Sequence, residues 1–219
     1  MPALNNTSLL QFNDWTLRVR EATQTPPRLL LMLHGWTGDE NSMWVFARNF
    51  QPNYLILAPR GLHLAPQGGY SWRPHHEGTF GRPNLADLRD SAGRLIRLVD
   101  EYQAGAGVDA SRFDVVGFSQ GAALSNVLAC LYPERIRKTG ILAGFMPSGM
   151  EQIVAQKPLA GKSMFVAHGT QDNMVPIDRA RASMAMLEQA GANITYCEAE
   201  IGHKLSSDCL RALETFFKT

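Results

Sequence analysis

A serine between two glycines, in Gly117-Phe118-Ser119-Gln120-Gly121, is the part of this sequence best suited to covalent chemistry. A strand-like run, Phe113-Asp114-Val115-Val116, precedes it, and a helix-like run from Ala122 to Leu131 follows. Strand, Gly-x-Ser-x-Gly and helix together read as a nucleophile elbow. In so tight a turn, side chains at the two flanking positions would collide, so glycine fits there. The serine hydroxyl then stands at a helix N-terminus, where N–H groups and the positive dipole end favour a developing oxyanion. A hydroxyl is a weak nucleophile and needs an adjacent base. The elbow motif places an Asp or Glu, and then a His, downstream. After Ser119 the histidines are His168 and His203, and Asp172 lies between them in His168-Gly-Thr-Gln-Asp172-Asn-Met-Val-Pro176. We read Ser119 as nucleophile, His203 as general acid–base and Asp172 as the carboxylate that orients the imidazole. Taken alone, Asp172 reads as a turn former and His203 as a surface histidine. His168 is a rival base, but it precedes the acid and is expected to pack at a strand end and bond to backbone.

Acyl transfer also needs donors aimed at the oxyanion. One is the N–H of Gln120, the residue after the nucleophile; the other comes from the loop after an early strand. The apolar run Leu29-Leu-Leu-Met-Leu33 suits a strand buried on both faces, and it ends in His34-Gly35-Trp36-Thr37-Gly38-Asp39. Trp36 is the candidate for the second N–H, with Gly35 the alternative. Asp39 or Asn41 can also cap the next helix. His34 is expected to fix this loop by hydrogen bonding.

These loops need a framework that brings them together. Strand-like runs lie near 8–12, 15–20, 28–34, 54–58, 112–116, 139–143, 163–167 and 193–197. Helix-like runs lie near 40–50, 85–104, 120–131, 178–190 and 205–217. Their alternation predicts a parallel α/β sheet with helices on both faces. Loops after parallel strands gather at one sheet edge, where ligands bind. Leu85, Leu88, Leu95, Ile96, Val99 and Tyr102 recur at helical spacing, with Asn84 as N-cap, and Gly191 fits a helix C′ position. Arg89, Arg94 and Arg97 accompany Asp87, Asp90 and Asp100 on that same helix, which predicts local charge pairs.

With 219 residues, the chain suits one domain, residues 1–219. Apolar residues make up 45%, ordinary for a globule, and the net charge of +1 gives no reason to expect nucleic acid or an anionic membrane as partner. No apolar stretch approaches a membrane span, so no membrane insertion is expected. The first basic residue is Arg18, so the expected location is cytoplasmic. Cys130, Cys197 and Cys209 form no Cys-x-x-Cys pair and are odd in number. They read as buried free thiols, hence a reducing compartment. A homodimer is left open.

Residues 61–84 form the one long connection without periodicity, a length that marks a functional or lid-like insert. Its Tyr70, Trp72 and Phe80 are candidates to line or cover a pocket beside Ser119, or to pack an Ω-loop on itself. Met146, Met174 and Val175 are further pocket candidates. His75-His76-Glu77 superficially suggests a metal site, but adjacent loop residues rarely aim at one ion, and no metal is expected.

Taken together, His34-Gly-Trp-Thr-Gly-Asp39, Ala58-Pro-Arg60, Gly117-Phe-Ser-Gln-Gly121, His168-Gly-Thr-Gln-Asp172 with Val175-Pro176, and Gly202-His203 span nearly the whole chain. They resemble the carboxylesterase/phospholipase branch of the α/β-hydrolases, which includes acyl-protein thioesterases and small bacterial carboxylesterases. The resemblance implies an α/β-hydrolase fold with a mostly parallel sheet. It implies Ser119, Asp172 and His203 as triad, Trp36 and Gln120 as oxyanion donors, and hydrolysis of a small-molecule ester or thioester without cofactor. Thioesterases that remove long acyl chains carry a more apolar insert than this one, which holds Arg73, His75, His76, Glu77 and Arg82. Esters of small to medium acyl chains are therefore the expected substrates. Acyl-protein thioesterase or lysophospholipase activity is the alternative, and a non-catalytic ligand-binding protein of the same fold is the reading outside enzymology.

Overall fold

The structure is a computed structural model that describes residues 6–47, 50–76 and 83–218. Its strands are β1 Ser8–Phe12, β2 Trp15–Arg20, β3 Arg28–Leu33, β4 Tyr54–Pro59, β5 His63–Leu64, β6 Tyr70–Ser71, β7 Phe113–Phe118, β8 Ile136–Leu142, β9 Ser163–Gly169 and β10 Asn193–Ala199. Its helices are α1 Trp44–Ala47, α2 Leu85–Ala106, α3 Gln120–Leu131, α4 Glu151–Val154, α5 Ile177–Gln189 and α6 Ser207–Lys218. Eight strands form one sheet in the order β1-β2-β4-β3-β7-β8-β9-β10. β1 with β2, and β2 with β4, are antiparallel; every later pairing is parallel. Parallel neighbours need crossover connections, which the helices between β3 and β10 supply.

The central strands are apolar throughout because both faces are covered. Leu29, Leu31 and Leu33 face a core cluster with Leu88, Leu95, Val99, Leu124 and Leu128 of α2 and α3. Leu30 and Met32, one residue out of phase, face a second cluster with Trp44 of α1 and Leu213 and Phe217 of α6. This is the period-two side-chain alternation of a strand between two helical layers. α2 begins at Asn84, whose side chain accepts from the Asp87 N–H while Asp87 caps the Asn84 N–H in return, and it ends at Gly107 with φ 64°.

Four sequence expectations are revised. First, the helix expected near 40–50 is helical only at Trp44–Ala47 among the described residues. Second, the charges of α2 pair off the helix rather than along it. Asp100 meets Arg135 at 2.6 Å, Arg94 meets Asp14 at 3.9 Å, and Asp87 meets Arg73 at 3.8 Å. Third, the insert is not wholly irregular, since β5 and β6 pair antiparallel within it. Fourth, Cys197 and Cys209 are joined by a disulfide, with S–S 2.03 Å. α6 folds back over the edge strand β10 and brings together two residues whose sequence spacing carries no pairing signal. Only Cys130 is free, and burial pushes its thiol up to about 12. The inference of a reducing compartment from free thiols therefore loses its ground. Among the described residues, no helix is long and apolar enough to cross a membrane.

Asp114, fully buried near the start of β7, holds the other end of the sheet together. It accepts from the Tyr54 hydroxyl at 2.7 Å, from Arg137 twice at 3.0 Å, from Arg28 at 3.2 Å and from the Lys138 N–H at 3.1 Å. Replacement by alanine strips partners from three side chains across β3, β4 and β8. Because both arginines retain some access to water, Asp114→Ala should cost about 2 to 4 kcal/mol in urea unfolding, with the activity of the folded fraction unchanged.

Candidate active site

Ser119 connects β7 to α3 with φ 53° and ψ −113°, a backbone conformation costly for a residue with a side chain. Its N–H donates to the Leu142 carbonyl at 2.9 Å, and its carbonyl accepts from the Ala123 N–H at 3.0 Å. A Cβ on Gly117 would overlap the Gly121 carbonyl, and one on Gly121 would overlap the Leu33 carbonyl. Glycine at these two positions is what lets the turn close against β3.

Asp172 lies in the loop after β9 and His203 in the loop after β10. Asp172 is 4% exposed. Its Oδ1 accepts the N–H groups of Met174 at 2.8 Å and Val175 at 2.9 Å, and its Oδ2 lies 2.7 Å from His203 Nδ1. The carboxylate is thus fixed by backbone on one side and presents its other oxygen to the imidazole. The His203 ring leans on the Phe118 ring at 4.9 Å, one residue from Ser119. Ser119 and His203 line the same cavity, of about 980 Å³. Among the described residues no hydrogen bond joins the Ser119 hydroxyl to His203; such contacts are often long before substrate binds. His168 Nε2 lies 2.8 Å from the Val175 carbonyl, to which it donates, and 3.4 Å from Asp172 Oδ2, behind the carboxylate.

Trp36 and Gln120 also line the cavity. Gln120 opens α3, where the first N–H groups have no partner within the helix. Its side chain turns away, its Oε1 accepting the Trp72 N–H at 2.9 Å. The loop that carries Trp36 is held on three sides. His34 Nδ1 bonds the Gly35 carbonyl at 2.7 Å, and its Nε2 accepts the Gly61 N–H at 2.8 Å. The Trp72 indole N–H donates to the His34 carbonyl at 2.7 Å. Thr37 donates to Tyr70 at 3.0 Å and Tyr70 to Gly38 at 2.9 Å, backbone to backbone.

Of the pocket candidates, Met174 and Val175 line the cavity. Tyr70, Trp72 and Met146 stand behind its described walls. Trp72 is fully buried under the His34 ring, with centroids 4.7 Å apart. The Tyr70 ring lies under Arg60, at 4.6 Å, and its hydroxyl accepts from that guanidinium at 3.2 Å. Met146 is 6% exposed, its N–H bound to Ser183 Oγ at 2.7 Å, while the preceding Phe145 reaches the cavity. Phe80, Glu77 and Arg82 lie outside the described residues. Arg73 and Arg179, neither assigned to the site from sequence, are in the wall. For Arg179 the available signal was its place in the first turn of the helix after the Asp172 loop. Its guanidinium packs on the Phe145 ring at 3.5 Å. His76 Nε2 points toward Asp87 Oδ1 at 3.8 Å.

A sequence model describing phospholipases and carboxylesterases matches residues 16–219. A protein of Oryza sativa subsp. japonica described as a probable carboxylesterase is 31% identical over 211 residues, covering 86% of this chain and 76% of its own. Carboxylesterase SOBER1 of Arabidopsis thaliana is 27% identical over 133 residues, or 58% of this chain, and the match spans 57% of that relative's length. Among solved structures, the Bacillus cereus carboxylesterase superposes with a TM-score of 0.81 at 25% identity, covering 93% of each chain. A carboxylesterase from Mesorhizobium loti gives the same TM-score of 0.81 at 20% identity, covering 98% of this chain and 99% of its own.

The His34 contacts yield a pH prediction. Its two bonds suit the neutral ring protonated at Nδ1, and burial lowers its pKa from 6.5 to about 4. As pH falls from 6.5 toward 4, the unfolded chain takes up a proton that the folded chain refuses. Stability should therefore fall across that window, by roughly 3 kcal/mol at its lower end. Urea unfolding at several pH values should show this loss in the wild type and a shallower one in His34→Gln.

Proposed function

The chain belongs to the phospholipase/carboxylesterase family and is a carboxylic ester hydrolase, and on that premise we propose that Ser119, His203 and Asp172 form its catalytic triad. The observation that carries this reading is the 2.7 Å bond from His203 to the buried Asp172, with His203 in the wall of the cavity that also holds the strained Ser119 turn. Ser119 Oγ attacks the acyl carbonyl while His203 Nε2 takes its proton. Asp172 holds Nδ1–H, so that Nε2 is the free base, and stabilises the imidazolium. The N–H groups of Trp36 and Gln120 receive the oxyanion. His203 then gives its proton to the leaving alcohol or thiol. Water, deprotonated by His203, attacks the acyl-enzyme and frees the acid and Ser119. No step calls for a cofactor.

The proposed substrates are esters of small to medium acyl chains. Arg73, His75 and Gln67 put polar groups in the wall that a long acyl chain would have to cross. Thioester hydrolysis is the second reading. A protein of Yarrowia lipolytica named acyl-protein thioesterase 1 is 35% identical over 98 residues, which cover 44% of this chain.

Ser119→Ala should lower turnover on the order of 10⁴-fold and abolish labelling by a fluorophosphonate probe. Near-wild-type activity in that variant would end the nucleophile assignment. Asp172→Asn should cost a similar factor in kcat, because the amide favours the wrong imidazole tautomer. A panel of p-nitrophenyl esters from acetate to palmitate, with the matching thioesters, should peak between butyrate and octanoate. An optimum at palmitate with thioesters preferred would favour the second reading.

A further inference from the structure

The loop that carries His203 is closed by a covalent bond. β10 ends at Ala199, α6 begins at Ser207, and the cysteines that join them, Cys197 and Cys209, lie twelve residues apart with His203 midway. The two halves of this loop are held differently. Its first half is hydrogen-bonded to the Asp172 loop, with the Thr170 N–H on Ala199 at 2.8 Å and the Gln171 N–H on Ile201 at 3.0 Å. The two loops lie so close there that a Cβ on Gly169 would overlap the carbonyls of Ile201 and Gly202. Beyond His203 the described backbone bonds are local. The Lys204 N–H returns to Gly202 at 2.8 Å, the Leu210 N–H to Ser206 at 2.9 Å, and the Cys209 N–H to the Ser206 hydroxyl at 3.1 Å. In the first turn of α6 the buried side chain is Cys209, half of the bridge itself; Leu213 and Phe217 are buried farther along the helix. The Cys197–Cys209 bond is the covalent tie between the first turn of α6 and the strand at the sheet edge, beside the apolar packing of Leu205 and Leu210.

We propose that this disulfide is a positioning element for His203. With the bridge closed, the second half of the loop cannot drift, and the imidazole stays between Asp172 and the Ser119 turn. With the bridge open, Leu205 and Ser206 move with the start of α6, and His203 keeps Asp172 as its partner but loses its aim at Ser119. Reduction by dithiothreitol delivers two electrons and two protons, breaks the Sγ–Sγ bond and leaves two thiols, while the reagent closes into its own disulfide. Cys197 is half-buried on the edge strand, and Cys209 is buried. The inference rests on the proposed triad.

The test compares the intact enzyme with the same enzyme after dithiothreitol, removal of the reagent, and reoxidation. Alkylation and mass measurement count thiols in each form; one is expected before reduction and three after. Turnover of p-nitrophenyl butyrate should fall on the order of 10- to 100-fold on reduction, the cost of a misplacement of about 1 Å, with KM little changed. Fluorophosphonate labelling of Ser119 should slow in parallel, far-UV circular dichroism should stay constant, and reoxidation should restore the rate. The folded double variant Cys197→Ser/Cys209→Ser should match the reduced enzyme and ignore dithiothreitol, while Cys130→Ser should behave as wild type. Unchanged turnover in the reduced enzyme would overturn the proposal, as would three free thiols in air-prepared protein. Loss of the dichroism signal together with activity would make the bridge a staple of the whole fold, which also overturns it. An active Ser119→Ala would instead defeat the triad reading, so the two failures are distinguishable.

Discussion

The contact on which the rest of the site depends is the approach of α3 to β3 through the two glycines flanking Ser119. Gly117 and Gly121 leave no room for a side chain against the Gly121 and Leu33 carbonyls. Only at this separation can residue 119 take its positive φ and stand clear of both elements. Such a conformation costs of order 1–3 kcal/mol and persists only when its surroundings over-determine it. Here the surroundings are the hydrogen bonds of the Ser119 N–H to Leu142 and of the Ala123 N–H to Ser119, and α3, buried along almost its whole length. The strain is local, and the packing that opposes it is distributed over β3, β7, β8 and α3.

The second constraint is register. β10 pairs parallel with β9, with Ala199 opposite Gly169, so both strands end at the same level. Asp172 and His203 therefore leave the sheet side by side. Parallel pairing sends both loops over the edge where β7 ends in Ser119. Ser119, Asp172 and His203 leave the same edge of the sheet because β7 to β10 are parallel, with β9 and β10 running two residues past the ends of β7 and β8. The carboxylate adds orientation to proximity. With Oδ1 committed to two backbone N–H groups, its rotation is fixed, and Oδ2 can face only one way.

This explains which features could be read from sequence. Strand and helix order were legible because apolar runs such as Leu29 to Leu33 and the stripe from Leu88 to Tyr102 carry their own periodicity. The three loops were legible because topology alone gathers them. Side-chain direction inside the insert was not: Tyr70 and Trp72 sit on a short β-hairpin whose register decides which way each points, and both turn toward the framework. Phe145 and Met146 differ by one position, which after a strand end is enough to exchange cavity and core. The Cys197–Cys209 bond depends on how α6 folds back, a tertiary event with no local signal. The partners of Asp87, Arg94 and Asp100 likewise belong to other elements, beyond the reach of helical spacing.

The insert then has a role that its irregular sequence conceals. Its first half braces the loop of Trp36, one of the proposed oxyanion donors, from behind. Trp72 binds the His34 carbonyl, Tyr70 pairs with Thr37 and Gly38, and Gly61 donates to the His34 ring. Trp72 also donates its N–H to the Gln120 side chain, so one short segment touches both loops that carry the proposed donors. Arg73 and His75, a step farther along, then enter the cavity wall. The cavity wall and the brace of the proposed donors are thus built into adjacent residues of one segment. On the proposed assignment, a change of the wall at Arg73 acts next to the Trp72 anchor, so the shape of the wall and the geometry of the proposed donors share one segment. That arrangement favours small adjustments of the wall over wholesale replacement of the insert, because replacement would remove the brace along with the wall.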